Sequence, residues 1–409
     1  MKHIYIVACF AMLPWLMFAQ DEDSVSFETN TTVEEFAEEE MKNWSLRGYV
    51  KDLRTVYFAP NFDNIIIDNM IHNRLFFEWY PDEQWTVKAD LRNRIFYGNT
   101  FQTLPMSDYS ELISDANNDY FDLSAMIIDQ DAFLFHSMID RLYVDYTKGK
   151  LQISAGRQRI NWGINTFFNP NDIFNSYNFT DFDYEERPGS DALRVQYYTG
   201  VASSVEIAVK AFDDIDEIVA GALWKFNKKN YDFQVLCGIA NEDIVLGGGW
   251  AGSIKNLGFK GEFSTFLPYD DFGDSVSFAG TLGLDYFFGN SAYLSAGLLL
   301  NSNGTTESLL ATGGNLLNST ETRNAKNLYP YQYAIFTAVS YPFSPILNGA
   351  ISMVYSPSDD QALFISPTLT YSVKDNLDLD AIGQFFALNF QNQYSLASKA
   401  VFVRLKWSF

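Results

Sequence analysis

Charged and amide side chains are concentrated in one segment of this chain, residues 156–189. It opens with Gly156-Arg-Gln-Arg159 and continues into a stretch rich in Asn, Asp and aromatic residues. The acids that we single out in this stretch are Asp172, Asp181, Asp183, Glu185 and Glu186. Guanidinium and carboxylate groups facing each other across a narrow opening create a transverse field, and rings of charge set which solutes pass. The segment therefore holds both types of charge that such a field would need.

The same acids offer a second chemistry. Asp172, Asp181 and Asp183 carry hard oxygen ligands of the type that Ca²⁺ prefers. Their spacing does not follow the EF-hand loop, so calcium is an alternative without a supporting motif. We expect no other metal and no cofactor.

The sequence does not indicate an enzyme. General-base catalysis usually needs a histidine near a serine or an aspartate. Beyond the first few residues the chain holds only His72 and His136, and no Gly-x-Ser-x-Gly or Ser-x-x-Lys motif accompanies them. The formal net charge of −23 argues against non-specific binding of nucleic acid.

The elements that must position these charges are β-strands with one polar face and one apolar face. Between Trp85 and Gly98, the even positions 88–94 are charged, whereas most odd positions are apolar. An Arg or Lys on the lipid face of a membrane strand costs about 2–4 kcal/mol at mid-membrane, so the charged face must look into a lumen. The same alternation predicts a set of pore-lining residues: Lys88, Arg92, Arg94, Arg141, Arg157, Arg159, Arg194, Lys210 and Arg404.

Two members of this set conflict with strict alternation. Arg157 and Arg159 are in phase with the apolar positions 151, 153 and 155. Because two arginines cannot face lipid at mid-membrane, we expect either a bulge here or a strand end that already lies above the hydrocarbon.

The whole chain from residue 44 repeats this pattern. Strand-like runs begin near residues 44, 68, 83, 134, 149, 190, 202, 216, 231, 242, 257, 274, 291, 331, 346, 361, 376 and 397. Short turns alternate with longer connections, of which 99–133, 161–189 and 303–330 are the longest. An aromatic content of 17% suits the two aromatic girdles of a membrane barrel. We predict an all-β, transmembrane antiparallel β-barrel of about 18 strands (16 if one hairpin is miscounted), with short periplasmic turns and long extracellular loops.

Both ends of the chain fit this class. Residues 1–19 combine a basic start, an apolar stretch and a small residue at position 19, which is typical of a secretory signal peptide. Residues 20–43 form an acidic leader, expected in the periplasm, and 44–409 form the barrel. The final strand ends in Phe409, and it must pair with another strand because an uncovered edge is a liability.

A terminal strand ending in Phe resembles the closing strand of bacterial outer-membrane barrels, in which that aromatic is part of the signal read by the barrel assembly machinery. The Gly-Arg-Gln strand before a long third outward loop resembles substrate-selective outer-membrane porins, including the 18-stranded type. The resemblance implies that loop 161–189 folds inward as a constriction. Its acids would then face Arg92, Arg94, Arg157 and Arg159. It also implies a bacterial outer-membrane location, contacts with lipid and lipopolysaccharide, and a homo-oligomer as one option.

Two other functions stay open. A transporter for hydrophobic substrates would have an apolar lumen, with the acidic leader as a plug. A non-conducting barrel would serve as a subunit of an envelope complex and use its loops as the contact surface.

Overall fold

The computed structural model describes residues 42–58, 65–99, 119–130, 133–175, 187–270, 276–308, 324–390 and 393–409. The predicted signal peptide and nearly all of the acidic leader lie outside these residues. The strands are β1 Trp44–Phe58, β2 Ile65–Trp79, β3 Trp85–Gly98, β4 Ser124–Gln130, β5 Phe133–Lys148, β6 Leu151–Gln158, β7 Ser190–Gly200, β8 Ser203–Lys210, β9 Val219–Lys228, β10 Tyr231–Ala240, β11 Asp243–Ile254, β12 Leu257–Pro268, β13 Ser277–Phe287, β14 Tyr293–Asn301, β15 Tyr333–Ser344, β16 Leu347–Tyr355, β17 Leu363–Lys374, β18 Leu377–Phe390 and β19 Gln393–Ser408. No helix in the described ranges has the length and apolar character needed to cross a membrane.

Eighteen of these strands form a closed ring. Each pairs antiparallel with its neighbours, and β19 returns to β1 in a register that runs from Tyr49 opposite Ser408 to Phe58 opposite Lys399. The prediction of an all-β antiparallel barrel of about 18 strands is confirmed. The short turns, such as 149–150 and 375–376, lie at one end of the barrel, whereas the long connections lie at the other.

The additional strand, β4, has a distinct position in the wall. β6 is short and covers β5 only from Lys148 to Leu142. Beyond that point β4 pairs with the rest of the same edge, from Met138 to Phe133. β4 lies within the predicted loop 99–133, and its seven residues, beside a cluster of acids, carry little strand signal of their own.

The two faces of the wall differ in chemistry. Inward positions hold buried polar side chains such as Lys51, Arg74 and Glu262. Outward positions hold apolar side chains that are 37–58% exposed, including Val205, Ile207, Leu246, Leu298 and Val403. An apolar outer face over a polar interior is the pattern that a membrane-spanning barrel requires.

An aromatic band lies on the outer face at the short-turn end. Trp44 is paired with Trp79 across β1 and β2, and the rings of Trp85 and Tyr146 have centroids 4.7 Å apart. Trp407 extends the band onto β19 and is 43% exposed. Such a girdle marks the boundary between hydrocarbon and headgroups.

Phe409 completes the seam at which the ring closes. Its backbone N–H donates to Gly48 O at 2.9 Å, and the Gly48 N–H donates to Phe409 O at 2.9 Å. A Cβ atom on Gly48 would lie 2.8 Å from Cζ of the Phe409 ring and 2.6 Å from Arg74 O. A glycine is therefore needed here because the ring and the neighbouring backbone occupy the space.

This seam gives a first prediction. Deleting Phe409 should lower the free energy of unfolding more than Phe409→Ala does. The deletion removes two backbone hydrogen bonds, each worth about 0.5–1.5 kcal/mol, whereas the alanine variant keeps them. Urea unfolding of the refolded barrel in lipid vesicles would measure the difference. Equal stabilities of the two variants would show that the backbone pair contributes nothing to closure.

Candidate functional site

Residues 159–175 leave the wall after β6 and cross to the inner face of strands far around the ring. The backbone N–H groups of Ile164 and Asn165 donate to the Glu262 carboxylate on β12, at 3.0 and 3.1 Å. The side chain of Asn169 donates to the same carboxylate at 2.8 Å. Asn171 donates to the carbonyl of Gly248 on β11 at 3.0 Å. Because β11 and β12 are not neighbours of β6 in the ring, this segment lies within the barrel.

The segment is held by an apolar core as well as by hydrogen bonds. Trp162 is fully buried, and its Nε1–H donates to Glu206 Oε1 at 2.6 Å. Gln234 of β10 donates to the Trp162 carbonyl at 2.6 Å. The rings of Trp162 and Phe174 are 4.8 Å apart in an edge-to-face arrangement. The predicted site residues of this region are all charged and do not include its apolar anchors, whose signal is the aromatic and branched content of residues 160–174.

A second segment, residues 324–331, packs in the same part of the lumen. Tyr329 lies 5.4 Å from Phe168, measured between ring centroids. Lys326 Nζ is 2.7 Å from Asp243 Oδ2, and the Tyr331 hydroxyl donates to Asp360 at 3.0 Å. The sequence placed residues 303–330 among the outward loops, yet residues 324–329 of that range join the interior packing. The apolar and aromatic run Leu-Tyr-Pro-Tyr at 328–331 is the sequence signal for this interior packing.

Two groups in the segments packed inside the lumen have perturbed pKa values. Burial, followed by the adjacent Asp360 carboxylate, raises the pKa of Tyr331, so its hydroxyl stays a hydrogen-bond donor. Burial also raises the pKa of Asp172, against the opposing effect of the Arg187 guanidinium, with which it forms an ion pair.

Arg157 lies at the junction where β6 leaves the wall. Its guanidinium makes a bidentate pair with Asp191 of β7, with Nε–Oδ1 at 2.9 Å and Nη2–Oδ2 at 2.6 Å. It also donates to the carbonyl of Phe121, whose N–H donates back to Asp191 at 2.8 Å. Strict alternation would place Arg157 on the lipid face. This conflict is resolved because Arg157 lies next to the end of β6, where the segment before β4 encloses its guanidinium. Gly156, with φ +116°, precedes it, and a Cβ there would lie 2.3 Å from Leu142 O.

The other predicted basic residues are spread around the wall, and most are paired. Lys88–Glu78 is 2.9 Å, Arg141–Asp140 is 3.0 Å, Arg194–Glu206 is 2.8 Å, Lys210–Asp119 is 2.6 Å and Arg404–Asp380 is 2.8 Å. Arg92 and Arg94 are buried, and Arg94 Nη2 lies 3.2 Å from His136 Nδ1. Arg159 is exposed.

A cavity of about 530 Å³ brings three of the predicted residues together. Lys88, Arg141 and Arg159 line it, with Glu78 and Tyr143 among the other lining residues. It presents cationic, anionic and aromatic groups to one space. Of the predicted acids, Asp172 is bound to Arg187, while Asp181, Asp183, Glu185 and Glu186 lie outside the described residues. Within the described ranges, no group of three or more His, Cys, Asp or Glu side chains is arranged to hold a metal.

Comparison with known proteins gives matches at the level of structure. No family model and no curated protein sequence matches the chain. OccAB4 of Acinetobacter baumannii superposes with a TM-score of 0.57 at 10% identity, covering 90% of this chain and 99% of that one. OccK7 (OpdD) of Pseudomonas aeruginosa gives 0.55 at 7% identity, with 90% and 99% coverage. OccK11 (OpdR) of the same organism gives 0.53 at 8% identity, with 90% and 96% coverage.

The chain therefore has the fold of the large outer-membrane β-barrels. More particularly, its barrel is similar to those of the Occ proteins, which are outer-membrane porins. The resemblance to porins inferred from the sequence thus extends to the fold of nearly the whole chain.

The anchor on Glu262 gives a second prediction. Glu262→Gln keeps the side-chain size but replaces a carboxylate oxygen with an NH₂ group, which cannot accept the hydrogen bonds now made. Leaving a buried donor without an acceptor costs about 1–3 kcal/mol, so amide exchange in residues 160–172 should accelerate roughly 5- to 150-fold. Hydrogen–deuterium exchange would measure it.

Asp378→Asn is the matched control, because Asp378 accepts from Ser372 at 2.7 Å on β18, six strands away from β12 in the ring. It should leave exchange in residues 160–172 unchanged. Wild-type exchange rates in Glu262→Gln would show that this carboxylate does not anchor the segment.

Proposed function

We propose that this barrel is a porin-like channel of the bacterial outer membrane, through which small polar or charged solutes diffuse. The observation that carries the proposal is a charged inner wall crossed by residues 159–175, which narrow the lumen. An 18-stranded barrel is too wide for wall side chains alone to fill, so the open part of the lumen holds water. The predicted constriction loop 161–189 keeps this role in the proposal.

The charged lining of the cavity, with Lys88, Arg141 and Arg159, favours the passage of a polar solute. An anionic group can approach these cations, while Glu78 and Tyr143 offer a carboxylate and a hydroxyl to the other end of a small molecule. Because charges that line a channel set its ion preference, the excess of cations here favours anions or zwitterions.

The cellular setting follows from the same class. A signal peptide at residues 1–19 would carry the chain out of the cytoplasm, and Phe409 would be read by the barrel assembly machinery. The outer face would then contact lipid and lipopolysaccharide. We propose no enzymatic activity, no cofactor and no nucleic-acid partner.

Two competing functions have some support. The apolar cluster around Trp162 and Phe168 favours a carrier of hydrophobic substrates. The two segments packed inside the barrel favour a non-conducting barrel. Against the first, the cavity is lined by charged side chains. A measurement of conductance distinguishes the second function, a non-conducting barrel, from a channel.

The deciding test is single-channel recording of the refolded, full-length protein in a planar bilayer under a KCl gradient. We expect discrete open steps and a reversal potential that favours chloride. A well-folded barrel that gives no steps at any applied voltage would overturn the channel and favour one of the two alternatives.

A third prediction concerns Arg159, an exposed cation of the cavity. Arg159→Gln should shift the reversal potential toward cation preference, because one positive charge is lost from the solute path. Arg54→Gln is the matched control, since it removes the same charge from the outer face of β1. An equal shift in both variants would show that Arg159 does not face the conducting path.

A further inference from the structure

Exposed lysines are concentrated on one side of the short-turn end of the barrel. Four short turns follow one another there around the ring, and they join β5 to β6, β7 to β8, β9 to β10 and β11 to β12. Three of these turns carry the residues that we call the lysine arc: Lys148, Lys150, Lys228, Lys229 and Lys255. Because neighbouring strands lie about 4.8 Å apart, the arc extends about 30 Å along the rim.

The positive charge of the arc is not balanced on the same face. The structure describes these three turns throughout, and the acid that adjoins them, Asp232, has the inward phase of the buried Gln234. Asp232 accepts from Asn227 on that side, at 2.8 Å. The turn between β2 and β3 has the opposite charge, since it holds Asp82 and Glu83. The arc is therefore a local concentration of cations in a chain whose formal net charge is −23.

Two lysines of the arc hold a backbone conformation that lysine rarely adopts. Lys229 has φ +54° and Lys255 has φ +58°, both in the left-handed region. Glycine enters this region more readily because it has no Cβ to approach the carbonyl oxygen, and asparagine does so because its short side chain can bond to the nearby backbone. Lysine is present at both turn positions against the preference of the backbone, which favours a role for its charge.

Two other lysines of the arc lie on the outward face at the level of lipid headgroups. Lys148 is two residues beyond Tyr146 of the aromatic band, and Lys228 is two residues beyond Phe226, so each shares the outward face of that ring. The rings of Phe226 and Trp224 are 4.5 Å apart, and Trp224 is 49% exposed. At a rise of about 3.3 Å per residue and a tilt of about 40°, two residues add about 5 Å along the membrane normal. This places both lysines in the headgroup layer that borders the hydrocarbon.

We propose that the lysine arc binds anionic phospholipid headgroups, such as phosphatidylglycerol, in the periplasmic leaflet of the membrane. Clustered lysines beside a membrane surface attract lipids of net negative charge. The exposed rings of Trp224 and Phe226 would contact the acyl chains of the same lipids. A soluble acidic protein fits less well, because it would have to displace lipid from the aromatic band to reach Lys148 and Lys228. The inference rests on the outer-membrane location of the proposed channel but not on its conductance.

The test is the lipid composition next to Trp224, measured with the refolded full-length barrel in vesicles that mix phosphatidylglycerol and phosphatidylcholine. One of the two lipids carries brominated acyl chains, which quench tryptophan fluorescence on contact. The difference between each protein and its Trp224→Phe form isolates the signal of this tryptophan. Each lysine that contacts a headgroup should raise the preference for phosphatidylglycerol about fivefold, which is the size of the attraction between a lysine and an anionic membrane surface.

Lys228→Gln/Lys229→Gln should lower the preference at Trp224 by about fivefold or more, whereas Lys228→Arg/Lys229→Arg should retain it, because arginine keeps the charge. Lys374→Gln is the matched control, since it removes the same charge from the turn between β17 and β18, outside the arc. It should leave the preference at Trp224 unchanged. Heat-dependent mobility in electrophoresis confirms that each variant is a folded barrel.

Equal quenching by the two lipids in the wild type would overturn the proposal, and so would an equal loss of preference in Lys374→Gln. A wild type that shows no lipid preference but binds a soluble polyglutamate peptide through Lys228 and Lys229 would also overturn it and assign the arc to an acidic protein segment. Conductance is a separate result. A barrel that conducts without the lipid preference would leave the proposed channel intact, and a silent barrel with the preference would leave this inference intact.

Discussion

The hydrocarbon of a membrane offers no partner to a backbone N–H or C=O group, so a transmembrane sheet must satisfy every strand edge from within the protein. Strand β6 violates this condition by ending at Gln158, half-way along the edge of the sixteen-residue β5. Strand β4 restores it by pairing with the remaining length of that edge. Arg157, bound to Asp191 and to the backbone of Phe121, fixes the point at which one strand replaces the other.

Because β4 takes the place of β6 along β5, residues 159–175 leave the wall and enter the lumen. This makes the interior asymmetric. From β8 to β15, the inner wall is covered by apolar and amide contacts centred on Trp162, Phe168 and Asn171. From β1 to β5, the inner wall stays charged, with Lys51, Arg74 and Arg92 among its buried side chains. Any aqueous path therefore runs beside the charged half.

The ring of strands was predictable because alternation and the cost of charge in lipid act locally along each strand. The starts of all eighteen ring strands were expected within a few residues of their positions. Strand β4 was not predictable, since its role depends on where β6 ends, a fact that no local pattern records. The ion pairs of Lys210 with Asp119 and of Arg187 with Asp172 join distant or irregular segments, so their sequence spacing carried no signal. The role of Trp162 was not predictable, because side chains that pack inside a lumen do not recur at a fixed spacing along the sequence.

The order of the strands along the chain gives β4 a further meaning. Residues 124–130 are joined to β5 by two residues, so this hairpin is local and can form before β6 finds its place. Once β4 holds the upper edge of β5, a longer β6 has no edge left on which to continue. The hairpin of β4 and β5 thus limits the length of β6. The chain after Gln158 turns inward because the edge of β5 is already paired, and not because of its own local sequence.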